Sequence, residues 1–361
     1  MRTAGSRLPL IDAFKALASQ LIVLHHLAFY GPMSDFVQDI APATIFWLSQ
    51  HARIAVQVFL VAGGFLAVLS LAPAGQLLAA NPLSLLKKRY FKLVIPYLAA
   101  LLLSIFCAAI ARTLMTHTST PDAPTLAQFI AHVLLLQSIL GYEGLSAGVW
   151  YIAIDFQLFA LLLGTLWLAR RIDAGHSSTA ALGPLLVGAL ALGSLFFFNR
   201  DASWDNWALY FFGSYALGVL AFWASSQKQA AAWLLLIAAT VIAALLVDYR
   251  SRIAAALVVA MVLGVARYTG FLARWPKSPA IAWLGQISYS VFLVHFPVCL
   301  LVNALFAYFA LSSPLFNLAG MFIAWAASIA AGALFYRLIE SRSGQLLQQT
   351  QRALLKLKLK T

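Results

Sequence analysis

Ten times along the chain, a run of about 20 mostly apolar residues recurs, enough for a helix to cross the hydrocarbon core of a bilayer. The runs fall at 9–30, 53–72, 91–111, 149–169, 180–198, 206–225, 231–247, 252–268, 281–303 and 316–338. Apolar side chains surround most of these helices on every side, with no single amphipathic stripe. Within lipid every backbone polar group must be satisfied inside the segment, which leaves the helix as the building block. The expected fold is therefore all-α: a polytopic membrane protein with about ten transmembrane helices. Composition points the same way. The chain is 63% hydrophobic and 10% charged, where a soluble domain is about half apolar and a quarter charged. An ordinary water-soluble enzyme, a disordered chain and a disulfide scaffold are excluded. Cys107 and Cys299 each sit in an apolar run and read as small core residues. The stretch 126–140 is apolar but short and carries His132, which suggests an interfacial or re-entrant piece. His51, His117, His132 and His176 read as loop or interface residues.

The formal net charge of +13 takes its meaning from where the cations lie. With the N-terminus in the cytoplasm, the inner side holds Arg2, Arg7, Lys87, Lys88, Arg89, Lys92, Arg170, Arg171, Lys228, Arg267, Arg274, Lys277, Arg337, Arg342, Arg352, Lys356, Lys358 and Lys360. The outer side holds Arg53, Arg112, Arg200, Arg250 and Arg252, and Lys15 lies within the first span. Eighteen of 24 inside is a strong positive-inside bias, so both termini are expected in the cytoplasm. The charge is a topology signal and a contact with anionic membrane lipid, not a nucleic-acid surface. The first run carries Asp12 and Lys15 and lacks a small-residue cleavage site, so it reads as a retained span. Residues 1–340 form the expected transmembrane domain and 341–361 a basic cytoplasmic tail. There is no Walker loop, Rossmann fingerprint or GxSxG, and no internal repeat of the kind that marks many transporters.

Charged groups in mid-membrane cost about 2.5–3.5 kcal/mol on insertion scales, so their positions are informative. In the first span Asp12, Lys15, Ser19, His26 and Tyr30 follow helical spacing and form one polar stripe. Lys15 and His26 share a face but stand about 16 Å apart along the axis, Lys15 toward the cytoplasm and His26 toward the outside. His25 points about 100° away from that stripe. Alternating crossings put Asp155 about two turns below the outer boundary of the fourth span. They put His295 in the outer part of the ninth, with Ser288 on the same face. His26, Asp155 and His295 thus fall at similar depth, with Arg53 near that level. Lys87, Lys88, Arg89 and Lys92 form a basic cluster at the cytoplasmic mouth.

A neutral histidine can take a proton from a hydroxyl near pH 7. A carboxylate can orient the ring or stabilise imidazolium, and a basic mouth can hold the phosphates of a cytoplasmic donor. The arrangement suits a group transfer across the bilayer. Intramembrane Asp, Lys and His also suit a proton relay, so a proton-coupled transporter or exporter of a glycan intermediate or small acid is the alternative class.

Several motifs, in order, carry a family resemblance. Ile11-Asp12-Ala13-Phe14-Lys15 with His26 is similar to D-x-x-R followed by ten residues and then His. Val58 to Leu66 is similar to F-x-x-S-G-F-L, and Lys88 to Tyr97 to a basic R-x-x-R and proline segment. Trp150 to Phe159 is similar to W-x-L-x-x-E-x-Q-F. Leu284 to Ser290, with His295 and Pro297, is similar to LG-x-I-SYS followed by H-x-P, and Leu338-Ile339-Glu340 to a closing hydrophobic-Glu motif. From about Leu10 to Glu340 the chain resembles the integral-membrane acyltransferase-3 family of bacterial O-acyltransferases.

The resemblance implies transfer of an acyl group, often acetyl, from acyl-CoA as co-substrate to a hydroxyl on an extracytoplasmic glycan or lipid-linked sugar. It places the protein in the bacterial inner membrane, with no permanently bound cofactor and no metal. His26 carries over as the catalytic base, Arg89 and Lys92 as donor-binding residues, and Lys15 as the counterpart of the first-helix Arg. Asp155 and His295 complete the catalytic set by orienting the acceptor or tuning His26. His25, Asp12, Ser19, Arg53, Ser288 and Glu340 are secondary candidates. The loops at 31–52, 112–148 and 199–205 would shape acceptor choice. Lys15 stands where the family has Arg, Asp155 where it has Glu and Gly63 where it has Ser.

Overall fold

The computed structural model describes residues 8–78, 81–173 and 181–343, and among these every regular element is helical. The chain is an all-α polytopic membrane protein. Its helices are α1 Pro9–Phe29, α2 Met33–Val37, α3 Pro42–His51, α4 Val56–Leu71, α5 Pro82–Leu114, α6 Leu126–Val133 and α7 Val149–Asp173. They continue as α8 Leu182–Phe196, α9 Ala208–Ala224, α10 Ala230–Val247, α11 Ser251–Tyr268, α12 Phe271–Arg274, α13 Pro279–Tyr308 and α14 Pro314–Leu338. Among the described residues nine helical segments are long and apolar enough to cross a membrane, and α9 is a shorter apolar helix of 17 residues. Each of the ten expected runs corresponds to one of these. His176, the cations Arg2, Arg7, Arg352, Lys356, Lys358 and Lys360, and the tail beyond Ser343 lie outside the described residues.

Two stretches differ from the sequence reading, and a third, at 126–140, agrees with it. The expected loop at 31–52 is largely helical, holding α2 and α3, and a 3-10 turn at Ala52–Ala55 links α3 to α4. Its His51 and Arg53 hide the start of a 30-residue helical segment, Pro42–Leu71. The third helix begins at Pro82, not at 91, and runs for 33 residues. Lys87, Lys88, Arg89 and Lys92 lower the hydropathy there, but Lys, Arg and Leu are good helix formers. Proline suits the first turn, and Asn81 Oδ1 accepts from the Ser84 N–H at 3.2 Å. The piece at 126–140 contains α6, eight residues long, followed by turns. At about 12 Å that helix is too short to cross.

Contacts divide the described chain into two compact units. The first takes its residues from Met1–Ala18, Ile54–Leu86 and Tyr151–Gln286. Its centre is α9, buried along most of its length, as expected of a helix that is apolar all round. Alpha9 meets α4 with almost no side chain between: a Cβ at Gly218 would lie 1.9 Å from the Val61 carbonyl oxygen, and one at Gly64 would lie 2.0 Å from that of Tyr215. Phe65 and Phe222 stack edge to face beside this contact at 5.1 Å. Ser194 on α8 donates to the Leu209 carbonyl at 2.6 Å and accepts from the Gly213 N–H at 2.8 Å. Arg250, buried before α11, donates to the Leu195 carbonyl and to Asn199 Oδ1, each at 2.9 Å.

The second unit takes its residues from Ser19–Arg53, Lys87–Trp150 and Ile287–Thr361. Ala108, Ala111 and Met115 pack with Phe296, Leu300 and Ala304 of α13, and Tyr30 closes that cluster. Asn303 Oδ1 accepts from the Met33 N–H at 2.9 Å and its amide donates to the Cys299 carbonyl at 3.1 Å, which ties α2 to α13. His132 is not a loop or interface residue as its sequence context suggests, but is wholly buried. Its Nδ1–H donates to the Gln128 carbonyl at 2.8 Å and its Nε2 accepts from the Leu145 N–H at 3.2 Å. Burial holds this ring below the ordinary histidine pKa, against the smaller opposite pull of the Gln128 carbonyl.

Candidate active site

The second unit brings together His26 and His295, which are 269 residues apart in sequence. His26 Nδ1 and His295 Nε2 are 2.6 Å apart. The rings stack at 4.9 Å with 14° between their planes. Both are buried, His295 completely. Helix periodicity explains the presentation of each: α1 carries His26 on its polar stripe, and α13 sets His295 one turn after Val291. His295 Nδ1 lies 3.1 Å from the Val291 carbonyl oxygen. Tyr30, one turn beyond His26, has its ring 5.6 Å from the imidazole, and Phe296 packs edge to face on Tyr30 at 5.1 Å. The pair therefore sits in an apolar, aromatic setting.

His25 is buried too, its ring 4.9 Å from that of His26. Its Nδ1–H donates to the Leu48 carbonyl at 3.0 Å. That carbonyl comes from α3, in the stretch expected to be loop.

The remaining candidates are distributed between the units. In the second unit Ser19 and Ser288 are buried and Arg53 is exposed. Arg89 is half-buried and Lys92 exposed on α5, three residues apart and so on one face. Glu340 accepts from Ser290 Oγ at 2.5 Å, across 50 residues of sequence. In the first unit Asp12 and Lys15 are half-buried on α1, and Asp155 is buried on α7. A Cβ at Gly63 would lie 3.3 Å from the Tyr215 ring and 3.9 Å from Asp155 Oδ1. Tyr215 thus packs where a serine side chain would need room, which gives the glycine at 63 a packing reason. Among the described residues no three His, Cys, Asp or Glu side chains gather as a metal-ligand set.

Two buried histidines joined by a short hydrogen bond can carry a proton without a carboxylate between them. A motif order matching one enzyme family frames that pair, and the family comparison decides the class. A family model described as an acyltransferase domain matches residues 8–337. The chain belongs to the acyltransferase-3 family. No curated protein and no solved structure matches it. As a membrane acyltransferase the protein takes an acyl donor and an acceptor, and the enzyme class left open beside a transporter by the polar residues is the one it occupies.

Proposed function

We propose that this membrane acyltransferase is an O-acyltransferase of the bacterial inner membrane, moving an acyl group, acetyl in the first instance, from acyl-CoA to a glycan or lipid-linked sugar hydroxyl on the outer side. The observation that carries the reading is the buried His26–His295 pair inside an acyltransferase domain. His26 acts as general base. The hydroxyl proton goes to its ring as the oxygen attacks the thioester carbonyl carbon. The adduct collapses with loss of the C–S bond, and the thiolate takes the proton back, giving ester and free CoA thiol. Arg89 and Lys92 supply cations for the CoA phosphates, the role that the family resemblance also gives Lys15. Asp155 takes the part in handling the acceptor that the family resemblance gives it. The loop 112–148 and the helical 31–52 segment, both of the second unit, shape acceptor choice.

The test uses membranes holding the wild type or His26→Ala at matched protein levels, labelled acetyl-CoA on the cytoplasmic side, and surface glycan as acceptor. Base-labile labelled product is expected with the wild type and none with the variant. Equal product from both removes His26 as the base. A second arm uses Lys92→Gln, which keeps a long polar chain but removes a cation. Its KM for acyl-CoA is expected to rise about three- to tenfold with kcat little changed, the signature of lost uniform binding.

A further inference from the structure

The donor and acceptor arithmetic of the histidine chain fixes which nitrogen of His26 is basic. A carbonyl can only accept, so His295 Nδ1, 3.1 Å from the Val291 oxygen, carries a hydrogen. A neutral imidazole with its hydrogen on Nδ1 presents a lone pair at Nε2. That lone pair faces His26 Nδ1 at 2.6 Å. His26 Nδ1 must therefore donate, and it holds the only ring N–H of the neutral side chain. His26 Nε2 is left as the bare imine nitrogen, free of a hydrogen and able to take one. Neither ring is bonded to a carboxylate among the described residues. His295, wholly buried with both nitrogens engaged, has no polar atom left to reach an acceptor sugar.

We infer that His295 is a positioning residue, which holds His26 in the tautomer with hydrogen on Nδ1 so that Nε2 takes the acceptor proton. The inference rests on His26 being the base of the proposed transfer and deepens that reading. In the step, the hydroxyl hydrogen moves to His26 Nε2 while the oxygen electron pair forms the new C–O bond. The imidazolium then keeps its Nδ1–H on His295 Nε2, so its charge is stabilised by an acceptor already in place. When the C–S bond breaks, Nε2 returns the proton to the sulfur. No proton needs to pass through His295, whose own tautomer is pinned by a main-chain carbonyl of the same helix.

The experiment reads the tautomer directly, by nitrogen NMR of the full chain with labelled histidine in lipid nanodiscs, alongside kinetics with acetyl-CoA. In the wild type, His26 is expected with hydrogen on Nδ1. In His295→Leu, the acceptor is gone, His26 shifts toward the Nε2–H form, and kcat falls about a hundredfold or more, with KM for acetyl-CoA within about twofold. In His295→Gln, the amide oxygen can accept again, so the Nδ1–H form returns and kcat recovers at least about tenfold over the leucine variant. A purely structural role would lower folded protein without this split. His25, pinned by the Leu48 carbonyl, holds its tautomer in all three proteins and reports an intact fold. A wild-type His26 protonated on Nε2, or a His295→Leu spectrum unchanged at His26, overturns this inference and leaves the base assignment standing. A tautomer switch without loss of kcat also overturns it. Undiminished transfer by His26→Ala overturns the proposed function, and this inference with it.

Discussion

His132 shows how a buried histidine can serve structure alone. Its ring accepts from one backbone group and donates to another, so only the neutral form satisfies both. Burial holds its folded pKa below the unfolded value near 6.5. The unfolded chain therefore binds more protons as pH falls, and the contribution is full above pH 6.5 and lost progressively below it. Thermal stability of the purified protein is expected to fall from pH 7 to pH 5, and the slope to be shallower in His132→Gln. Equal slopes would show that the ring escapes its two backbone partners before it charges. Asn303 makes a parallel case with no titration. Asn303→Leu leaves the buried Met33 N–H without its acceptor, which costs about 1–3 kcal/mol. Faster amide exchange at the start of α2 should accompany the loss, and normal exchange there would show that Met33 finds another acceptor. The candidate site was legible at this scale wherever a side chain carried the signal. His26 and His295 stood out as polar groups at matching depth in apolar helices. Leu48 and Val291 did not, because a backbone carbonyl acts as a partner whatever its side chain, and residue type leaves no trace of it.

Helices were legible from hydropathy, and their ends were not, for a physical reason visible in α5. An apolar window stops at the first cluster of charge, whereas a helix stops where its backbone loses good formers and caps. Lys87 to Lys92 ended the apparent span while the helix ran back to Pro82. The pairing of helices was less legible still, because close backbone approach depends on glycines whose neighbours are remote in sequence. Alpha4 and α9 meet at Gly218, where an added Cβ would strike the Val61 oxygen. Gly218→Ala is expected to force these helices apart and to destabilise the protein by about 1–3 kcal/mol, the usual cost of overpacking. Gly164 on α7 and Gly188 on α8 have nothing within 4 Å of such a Cβ. Alanine at either should be neutral or stabilise by up to about 1 kcal/mol, because glycine is a poor helix residue. Thermal unfolding of the three variants in one detergent separates the two outcomes. A neutral Gly218→Ala would mean that the α4–α9 contact can slide without cost.

For the whole molecule, the proposed reaction depends on which side each loop faces, since donor and acceptor occupy different compartments. The cation bias assigns the segment after α9, with Lys228, to the cytoplasm, and the 199–205 segment before it to the outside. Both segments have exposed positions at which cysteine can be placed, Gln227 in the first and Ala202 in the second. The native Cys107 and Cys299 are buried, so they should give little background to a thiol reagent that cannot cross the membrane. In spheroplasts with an intact inner membrane, Ala202→Cys is expected to label and Gln227→Cys to stay unlabelled until the membrane is opened. The contrast is sharp because α9 is only 17 residues long. About 26 Å of helix must carry the chain from one face to the other, close to the hydrocarbon thickness of about 30 Å. Labelling of both positions from outside would mean that α9 does not cross. Every later segment would then change sides, placing the Arg267, Arg274 and Lys277 group outside against the positive-inside bias. The reversed pattern would put Arg89 and Lys92 on the side where no acyl-CoA is found, and the proposed donor site would have to be abandoned.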